Sequence, residues 1–423
     1  MPIDLLLTHC SQIATCVAAG GPRRGLEMQD VGSIVDGAIA ITDGRILAVG
    51  SSDELAASFT ATQTIDCTGH AVVPGFVDCH THTVFGGDRV HEFEMRIGGA
   101  TYMEIMAAGG GIISTMQQTR AADEEKLFVL AKQRLDEMLS FGSTTVEIKT
   151  GYGLDLATEL KMLRVIDRLD REHPCTVVPT FLGAHTVPPE YQTEADRYVR
   201  LVIDEMLPAV AAWYASSSFV EINTPLFCDV FCEDHAFNVE QSRQILTAAK
   251  GLGLRIKIHV DQFNELGGLE MAVELGAIST DHLDVTGQGS IDLLANSDTI
   301  CVPLPAANFN LGHTHFANAR AMIDSGAVVA LATDLNPGSA PCFGMPLVMA
   351  IANRYQRLLP SETLIAGTIN AAHAVSLGGS IGSIECEKKA DLLILKAADY
   401  RYISYFLGGN PIDTVIKDGV VLS

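Results

Sequence analysis

At 423 residues, with 48% hydrophobic and 19% charged residues, the chain is too long for one small domain and has the composition of a globular protein with a large core. The formal net charge of −23 disfavours binding to nucleic acids and to anionic membranes, because their phosphates carry the same sign. No apolar run approaches the length of a membrane span, and residues 1–10 lack the basic start and long apolar core of a signal peptide. We therefore expect a cytoplasmic protein with no nucleic-acid or membrane partner. Ten cysteines without paired spacing favour reduced thiols over disulfides or a zinc knuckle.

Both ends of the chain have the pattern of short β-hairpins. The stretch GAIAITDGRILAVG contains two β-rich runs around an Asp43-Gly44 turn, and ADLLILKA and DTVIKDGVVL repeat this style around Asp418-Gly419. We expect residues 1–73 and 378–423 to form one small, β-sandwich-like domain built from both termini.

Between these ends, β-branched apolar runs alternate with longer helical patterns, which is typical of a parallel sheet wound by βα units. A helix is predicted over EEKLFVLAKQRLDEMLSF, with Gly142 as its C-terminal cap. The connection from Thr83 to Asp123 is long and glycine-rich, which predicts mostly loop. Eight strands with outer helices make an α/β fold of the (β/α)8 TIM-barrel type, expected over residues 74–377 as one insertion. The candidate strands are VVPGFVDCHTH, STTVEIKTGY, TVVPTFLGAH, DVFCE, RIKIHVDQ, AISTDHL, TICVPLP and VVALATDLN.

Most of the predicted strands end in side chains that can ionise or bind a metal. In a TIM barrel the carboxyl ends of the strands line the active site, so these side chains are expected to converge. The endings are His80 and His82, Lys149 and Tyr152, His185, Glu233, His259, His282, Pro303 and Pro305, and Asp334.

Four of these endings make a metal-ligand set. His80 and His82 stand two apart on one strand and therefore point to the same face. With His259 and Asp334 they offer three nitrogens and one oxygen, which suit zinc or iron and suit magnesium or calcium poorly. A water bound to such an ion is acidic near neutrality, so the set predicts a metal-dependent hydrolase.

Two further residues are candidates for the chemistry and for substrate binding. His282 is expected to accept a proton from the attacking water or to polarise the attacked carbonyl, while Asp334 passes a proton to the leaving nitrogen. The alternative for His282 is a further ligand in a two-metal site. Arg89, in a glycine-rich loop, is expected to hold an anionic group of the substrate, and the alternative is an ion pair with Asp88 or Glu92.

These residues resemble the amidohydrolase superfamily and, within it, the imidazolonepropionase family of histidine degradation. The order His-x-His, His, His and Asp on successive strands carries the resemblance to the superfamily. The motifs that resemble the imidazolonepropionases are PGFVDCHTHTVFGGDR, MRIGGATYMEI, AGGGIISTMQQTR, VEIKTGYGLD, HVDQF, DHLD and TDLNPGS. They cover nearly the whole chain.

The resemblance implies a role for each matching residue. His80, His82, His259 and Asp334 would bind one Zn or Fe(III) ion per chain, and His282 would assist the water. Substrate binding is implied for Arg89, Tyr152 and His185 at the propionate, for Gln262 at the ring, for Asn336, Gly338 and Ser339 at the substrate or product, and for Tyr102 in the pocket. The implied reaction opens the ring amide of 4-imidazolone-5-propanoate, and the implied assembly is a homodimer.

The chain departs from the family pattern in two places. Gln262 stands where some members have Glu, so a carboxylate is not required there, and Ser339 stands where Thr is usual. Glu233 takes the place of the carboxylated lysine of two-metal relatives, which favours one metal and leaves a weak second site open. Two other functions stay possible from the residues: a cyclic-amidine or nucleobase deaminase, or a non-catalytic barrel whose metal is structural.

Overall fold

The computed structural model describes residues 1–18, 20–100, 104 and 109–422. This part of the chain contains seventeen strands, numbered in chain order. They are β1 Pro2–Cys10, β2 Gln12–Ala14, β3 Ser33–Ile34, β4 Gly37–Thr42, β5 Arg45–Ser51, β6 Thr60–Asp66, β7 Ala71–Pro74, β8 Phe76–Asp78, β9 Ser143–Lys149, β10 Thr176–Ala184, β11 Phe227–Val230, β12 Arg255–Val260, β13 Ser279–His282, β14 Ile300–Pro303, β15 Leu392–Leu395, β16 Ile412–Lys417 and β17 Val420–Val421.

Seven parallel strands, β8 to β14 in sequence order, form the curled sheet of the barrel. The eighth place is taken by residues 328–335, which join both edges of that sheet through isolated bridges. Val329 bridges Cys301 in β14, and Leu335 bridges Thr81 just beyond β8. The expected TIM-barrel fold is therefore confirmed, with an irregular segment in place of the eighth strand.

Helices cover the barrel and connect its strands. The predicted long helix is confirmed at Glu124–Ser140, with the side chain of Asp123 accepting a hydrogen bond from Lys126 N and Gly142 following at φ 93°. The connection that was predicted as mostly loop contains the helices Val90–Ile97 and Ile112–Ala121 in the part that the structure describes. The α-helices are Ser52–Ser58, Val90–Ile97, Ile112–Ala121, Glu124–Ser140, Leu156–Glu172, Ala195–Leu201, Leu207–Tyr214, Ser218–Glu221, Val239–Gly251, Gly268–Leu275, Gln288–Ala295, Pro305–Leu311, Ala319–Asp324, Met345–Tyr355, Pro360–Ala366, Ile369–Ala374 and Tyr402–Tyr405.

The two termini build a pair of sheets beside the barrel. One has the order β5-β4-β1-β6, and the other, β17-β16-β15-β7-β2-β3, combines strands from both ends of the chain. Apolar side chains from both sheets share one core, among them Leu7, Ile39 and Ile394. The predicted turns occur at Asp43-Gly44 and Asp418-Gly419, where all four residues have φ between 48° and 76°, as tight two-residue hairpins require.

One predicted barrel strand is in fact two strands in different sheets. The run VVPGFVDCHTH divides at Gly75, so that β7 pairs with β15 and β2 while β8 pairs with β9. A Cβ at Gly75 would lie 2.2 Å from Thr144 Oγ1. The Thr144 side chain packs too closely against the Gly75 backbone to leave room for a Cβ, and the chain leaves one sheet for the other at this point.

The ten cysteines are all free thiols, as expected. Among the helices within the described ranges, none is both long and apolar enough to cross a membrane.

Candidate active site

The five histidine and aspartate residues predicted from the strand ends meet at the carboxyl end of the barrel. Their ligand atoms form two groups, His80 with His82 and His259, and His80 with His282 and Asp334. Within each group the atoms lie within 4.8 Å of one another, and all five side chains are buried. The spacing therefore allows a metal ion to be shared, as the strand-end rule predicts.

Two of the imidazoles are oriented by carboxylates on their outer nitrogens. His80 Nδ1 lies 2.6 Å from Asp281 Oδ2, and His259 Nδ1 lies 3.0 Å from Asp229 Oδ2. The opposite nitrogen, Nε2, of each ring is buried and has no hydrogen-bond partner among the described residues. Burial also holds the pKa of His80 well below its usual range, so that the ring is neutral and its lone pair is available. A carboxylate behind an imidazole is the usual outer partner of a metal-binding histidine.

The carboxylates of Asp229 and Asp281 lie beside a buried lysine, Lys149. Lys149 Nζ lies 2.7 Å from Glu147 Oε1, 2.8 Å from Asp229 Oδ2 and 3.8 Å from Asp281 Oδ2. Lys149 thus offsets part of the negative charge of the groups that orient the imidazoles. Sequence reasoning missed Asp229 and Asp281. For Asp229, a single charge inside the otherwise apolar strand FCDV was a usable signal, whereas the strand STDH around Asp281 is polar throughout.

The carboxylate of Glu233 accepts hydrogen bonds from the loop that follows β12. Its Oε2 accepts hydrogen bonds from Phe263 N at 2.9 Å and Asn264 N at 3.2 Å, and its Oε1 accepts from Asn264 Nδ2 at 2.8 Å. Glu233 belongs to neither of the two groups of metal-capable side chains found in the described residues. The geometry supports a structural role for this carboxylate rather than a second metal site.

His282 and Asp334 have strained backbones, with φ of 82° and 56°. His282 Nδ1 is buried, lies 4.0 Å from Asp284 Oδ2 and has no hydrogen-bond partner in the described part of the chain. Because His282 shares a ligand group with His80 and Asp334, the alternative of a further metal ligand remains geometrically open. Burial raises the pKa of Asp334 well above its usual range, and Ser339 Oγ lies 3.5 Å from its Oδ2.

A cavity of about 490 Å³ opens over this cluster. All the predicted substrate-binding residues that the structure describes line it, and Tyr102 lies outside the described residues. The predicted lining residues are Arg89, Tyr152, His185, Gln262, Asn336, Gly338 and Ser339. Lining residues that sequence reasoning did not single out include Arg96, Phe231, His235, Phe263, Leu311 and His313.

The Arg89 guanidinium both forms an ion pair with Glu92 and lines the cavity, so the structure contains both roles that were considered from the sequence. Arg89 Nε and Nη2 lie 2.7 and 2.6 Å from Glu92 Oε2, so the alternative ion pair is formed. The same guanidinium also lines the cavity, where it lies against Gly338. A Cβ on Gly338 would be 2.0 Å from Arg89 Nη1, so a glycine at this position leaves room for the guanidinium.

Tyr152 and His185 contribute uncharged polar groups to the cavity. His185 stacks on His82, with ring centroids 4.9 Å apart, and its Nδ1 lies 3.1 Å from Gly151 O. Because a carbonyl only accepts, Nδ1 carries the proton and Nε2 is an acceptor. Burial lowers the pKa of His185 to about 3, so the ring is neutral. Tyr152 is 2% exposed and contributes a phenol to the cavity.

Asn336 shapes the loop after the eighth segment. Its Oδ1 accepts hydrogen bonds from Gly338 N at 2.8 Å and Ser339 N at 2.7 Å, and its Nδ2 donates to Asp334 O at 2.7 Å. The three predicted contact residues therefore form one rigid turn beside Asp334.

Comparison with known proteins agrees with this geometry. The family model described as the amidohydrolase family matches residues 71–422, and a bacterial imidazolonepropionase-like composite domain matches residues 37–60. An imidazolonepropionase of Chloroflexus aggregans is 56% identical over 421 residues, which are 100% of this chain and 99% of the relative. The chain belongs to the imidazolonepropionase family. The imidazolonepropionase of Herpetosiphon aurantiacus is 50% identical over 419 residues, covering 99% of this chain and 97% of that protein.

Solved structures of more distant proteins share the fold of this imidazolonepropionase family member. An adenosine deaminase from Xanthomonas campestris with bound zinc has a TM-score of 0.75 at 17% identity, covering 99% of this chain and 93% of that one. A guanine deaminase from E. coli has a TM-score of 0.69 at 14% identity, covering 99% of both chains. The family resemblance and the fold expected from the motifs are confirmed, and family membership implies a metal cofactor.

Proposed function

We propose that the protein hydrolyses the ring amide of 4-imidazolone-5-propanoate, in histidine degradation, to N-formimino-L-glutamate, with one zinc or ferric ion per chain. The observation that carries the proposal is the presence, in one cavity, of a metal-ligand set and of the Arg89 guanidinium. The membership in the imidazolonepropionase family supports the same substrate.

His80, His82, His259 and Asp334 would hold the ion. The donor set fits, because the Nε2 atoms of His80 and His259 are buried without a partner in the described chain. Three imidazole nitrogens and a carboxylate suit zinc or iron and leave room for water. When bound, such an ion acts as a Lewis acid that makes a water nucleophilic near neutral pH.

The substrate is oriented by its two ends. Arg89 binds the propionate, supported by the Tyr152 hydroxyl and by the neutral His185 ring. Gln262 contacts the imidazolone ring through its amide, and Tyr102 is a further proposed substrate contact. Holding both ends turns the attack on the carbonyl into a reaction within one complex, which lowers the entropic part of the barrier.

His282 and Asp334 handle the protons of the reaction. The oxygen of water adds to the ring carbonyl carbon, and His282 takes a proton or donates a hydrogen bond to the developing oxyanion. The bond between this carbon and the ring nitrogen then breaks, and Asp334 passes a proton that came from the added water to the departing nitrogen. The carbonyl carbon becomes the α-carboxylate of the product, which meets Asn336, Gly338 and Ser339.

The finer assignments complete the proposal. Residues 74–377 form the catalytic domain, and residues 1–73 with 378–423 form the accessory β domain. The assembly is a homodimer, and the compartment is the cytoplasm, where ten free thiols stay reduced.

The test is turnover of 4-imidazolone-5-propanoate, followed by the loss of ultraviolet absorbance of the conjugated ring, with the metal quantified in the same preparation. We expect turnover with about one metal per chain, abolished by a chelator and restored by zinc or iron. A fully metal-loaded protein that does not turn over 4-imidazolone-5-propanoate would refute the assignment of this substrate. Release of ammonia from a cyclic amidine or a nucleobase would then identify a deaminase instead.

A further inference from the structure

The ion pair between Arg89 and Glu92 leaves the anion end of the cavity without net charge. Both bonds from Arg89 go to the same oxygen, Glu92 Oε2, while Glu92 Oε1 accepts a hydrogen bond from Gly111 N at 3.0 Å. The carboxylate is therefore fixed in place and compensates the guanidinium fully. A substrate carboxylate that met only this pair would gain much less electrostatic attraction than from an unpaired guanidinium.

Arg96 lies in the same cavity and carries an unused donor. It is on the helix Val90–Ile97, where residues 89, 92 and 96 follow the spacing of one helical face. Arg96 lines the cavity with Arg89 and Glu92, and its Nη1 is buried with no hydrogen-bond partner among the described residues. A buried donor on a charged group costs free energy while it lacks an acceptor. Because Nη1 is covered in this conformation, a ligand oxygen would meet it once the Arg96 side chain turns further towards the cavity that it lines.

We propose that Arg96 is a second guanidinium of the substrate site and that it binds the substrate carboxylate together with Arg89. Arg89, Arg96 and Glu92 together carry a formal charge of +1, which matches a single acidic group on the ligand. The other carboxylate of the lining, Asp334, belongs to the metal-ligand group with His80 and His282. This inference rests on the proposed function, and it adds a specificity residue to it. A ring without an acidic tail would leave this positive charge unpaired and would be discriminated against.

The charge environment agrees with this assignment. Desolvation, and next the positive charge of Arg89, lower the pKa of Arg96 from its ordinary value. Two guanidinium groups close to each other are stabilised by an anion between them, as in other carboxylate sites.

The experiment compares two non-reactive probes as inhibitors or ligands of the metal-loaded enzyme. Imidazole-4-propionate carries the carboxylate, and 4-ethylimidazole lacks it. The variants are Arg96→Met and Arg96→Lys, with Arg197→Met as the matched control. Arg197 is exposed, and its ion-pair partner Glu194 and its ring contact Tyr191 do not line the cavity. Metal content and melting temperature are measured for each variant.

We expect Arg96→Met to raise the Ki of imidazole-4-propionate and the KM of the substrate about tenfold to a hundredfold, with little change in kcat. The Ki of 4-ethylimidazole should not change, Arg96→Lys should restore part of the affinity, and Arg197→Met should match the wild type. Equal weakening of both probes, or of neither, would overturn the proposal. If the wild type fails to turn over the substrate, the proposed function fails, while calorimetric binding of the two probes still tests Arg96.

Discussion

Replacing Asp281 by Asn tests whether the buried charges behind the histidines set the metal affinity. Asp281 Oδ2 lies 2.6 Å from His80 Nδ1, and an amide keeps the shape but removes the charge. Two lysines, Lys149 and Lys257, face three carboxylates in this layer, Glu147, Asp229 and Asp281, for a formal net charge of −1. The variant makes that charge zero. The His80 ring would be oriented less firmly, and the charge around the metal ion would be less negative. Both effects weaken the binding of a cation, so they raise the metal Kd together.

The expected size follows from the loss of an outer partner of a metal ligand. Such losses cost about tenfold to a hundredfold in affinity, or about 1.4 to 2.7 kcal/mol. At a free zinc concentration of about 100 times the wild-type Kd, bound metal stabilises the fold by about 2.7 kcal/mol. A Kd raised about thirtyfold reduces this to about 0.9 kcal/mol, or about one third.

The assay is competition for zinc with a fluorescent chelator, together with the metal-dependent shift in melting temperature. Asp391→Asn is the matched control, because Asp391 is also a buried carboxylate, with Lys417 Nζ at 3.0 Å, but lies in the terminal sheets. The control should lower the melting temperature and leave the zinc Kd within about twofold. An unchanged Kd in Asp281→Asn, or equal weakening in both variants, would refute the reasoning.

Three further substitutions test other parts of the site and fold. Gly338→Ala would put a methyl group 2.0 Å from Arg89 Nη1. It should raise KM as strongly as Arg89→Ala, while the metal content stays intact. Wild-type kinetics in either variant would contradict the assignment of Arg89 as the residue that binds the substrate anion. Glu233→Gln should leave the metal content per chain unchanged by elemental analysis, since its oxygens serve a loop, and a lost equivalent of metal would contradict this. Gly75→Ala should reduce the free energy of unfolding by about 1 to 3 kcal/mol through its clash with Thr144, measured by denaturant titration, and Gly75→Ala with Thr144→Ala should recover part of the loss.

The convergence of the metal ligands could be predicted because it depends on a simple geometric rule. Parallel strands place their carboxyl ends at one edge of the sheet, so His80, His259 and Asp334 had to lie near one another once the strands were identified. The rule needs the side chain at each strand end but no knowledge of strand length or packing, and the ligand group survives the irregular eighth segment.

Other features depend on partners far along the chain, and local patterns do not reveal them. The apolar run around Gly75 has the same β propensity on both sides, and only contact with Thr144 and with the terminal strands decides where the chain changes sheet. Asp281 is buried as a charge because Lys149 and His80 lie beside it, and these partners are more than a hundred residues away. The choice of Arg89 between Glu92 and a ligand is a matter of side-chain rotamers, which spacing does not determine.

The way in which the barrel closes means that a bound metal ion would also affect folding. The first strand and the last segment are joined near the site by Asp334 N to His80 O at 3.1 Å and His82 N to Leu335 O at 2.8 Å, in place of a regular ladder. An ion held by His80, His82 and Asp334 is therefore a cross-link, and the loop that it closes contains nearly the entire barrel. Like a disulfide between distant cysteines, it removes conformational freedom from the unfolded chain and links folding to cofactor uptake. Because the last ligand lies so late in the sequence, the chain can complete this cross-link only after almost all of the barrel has been synthesised.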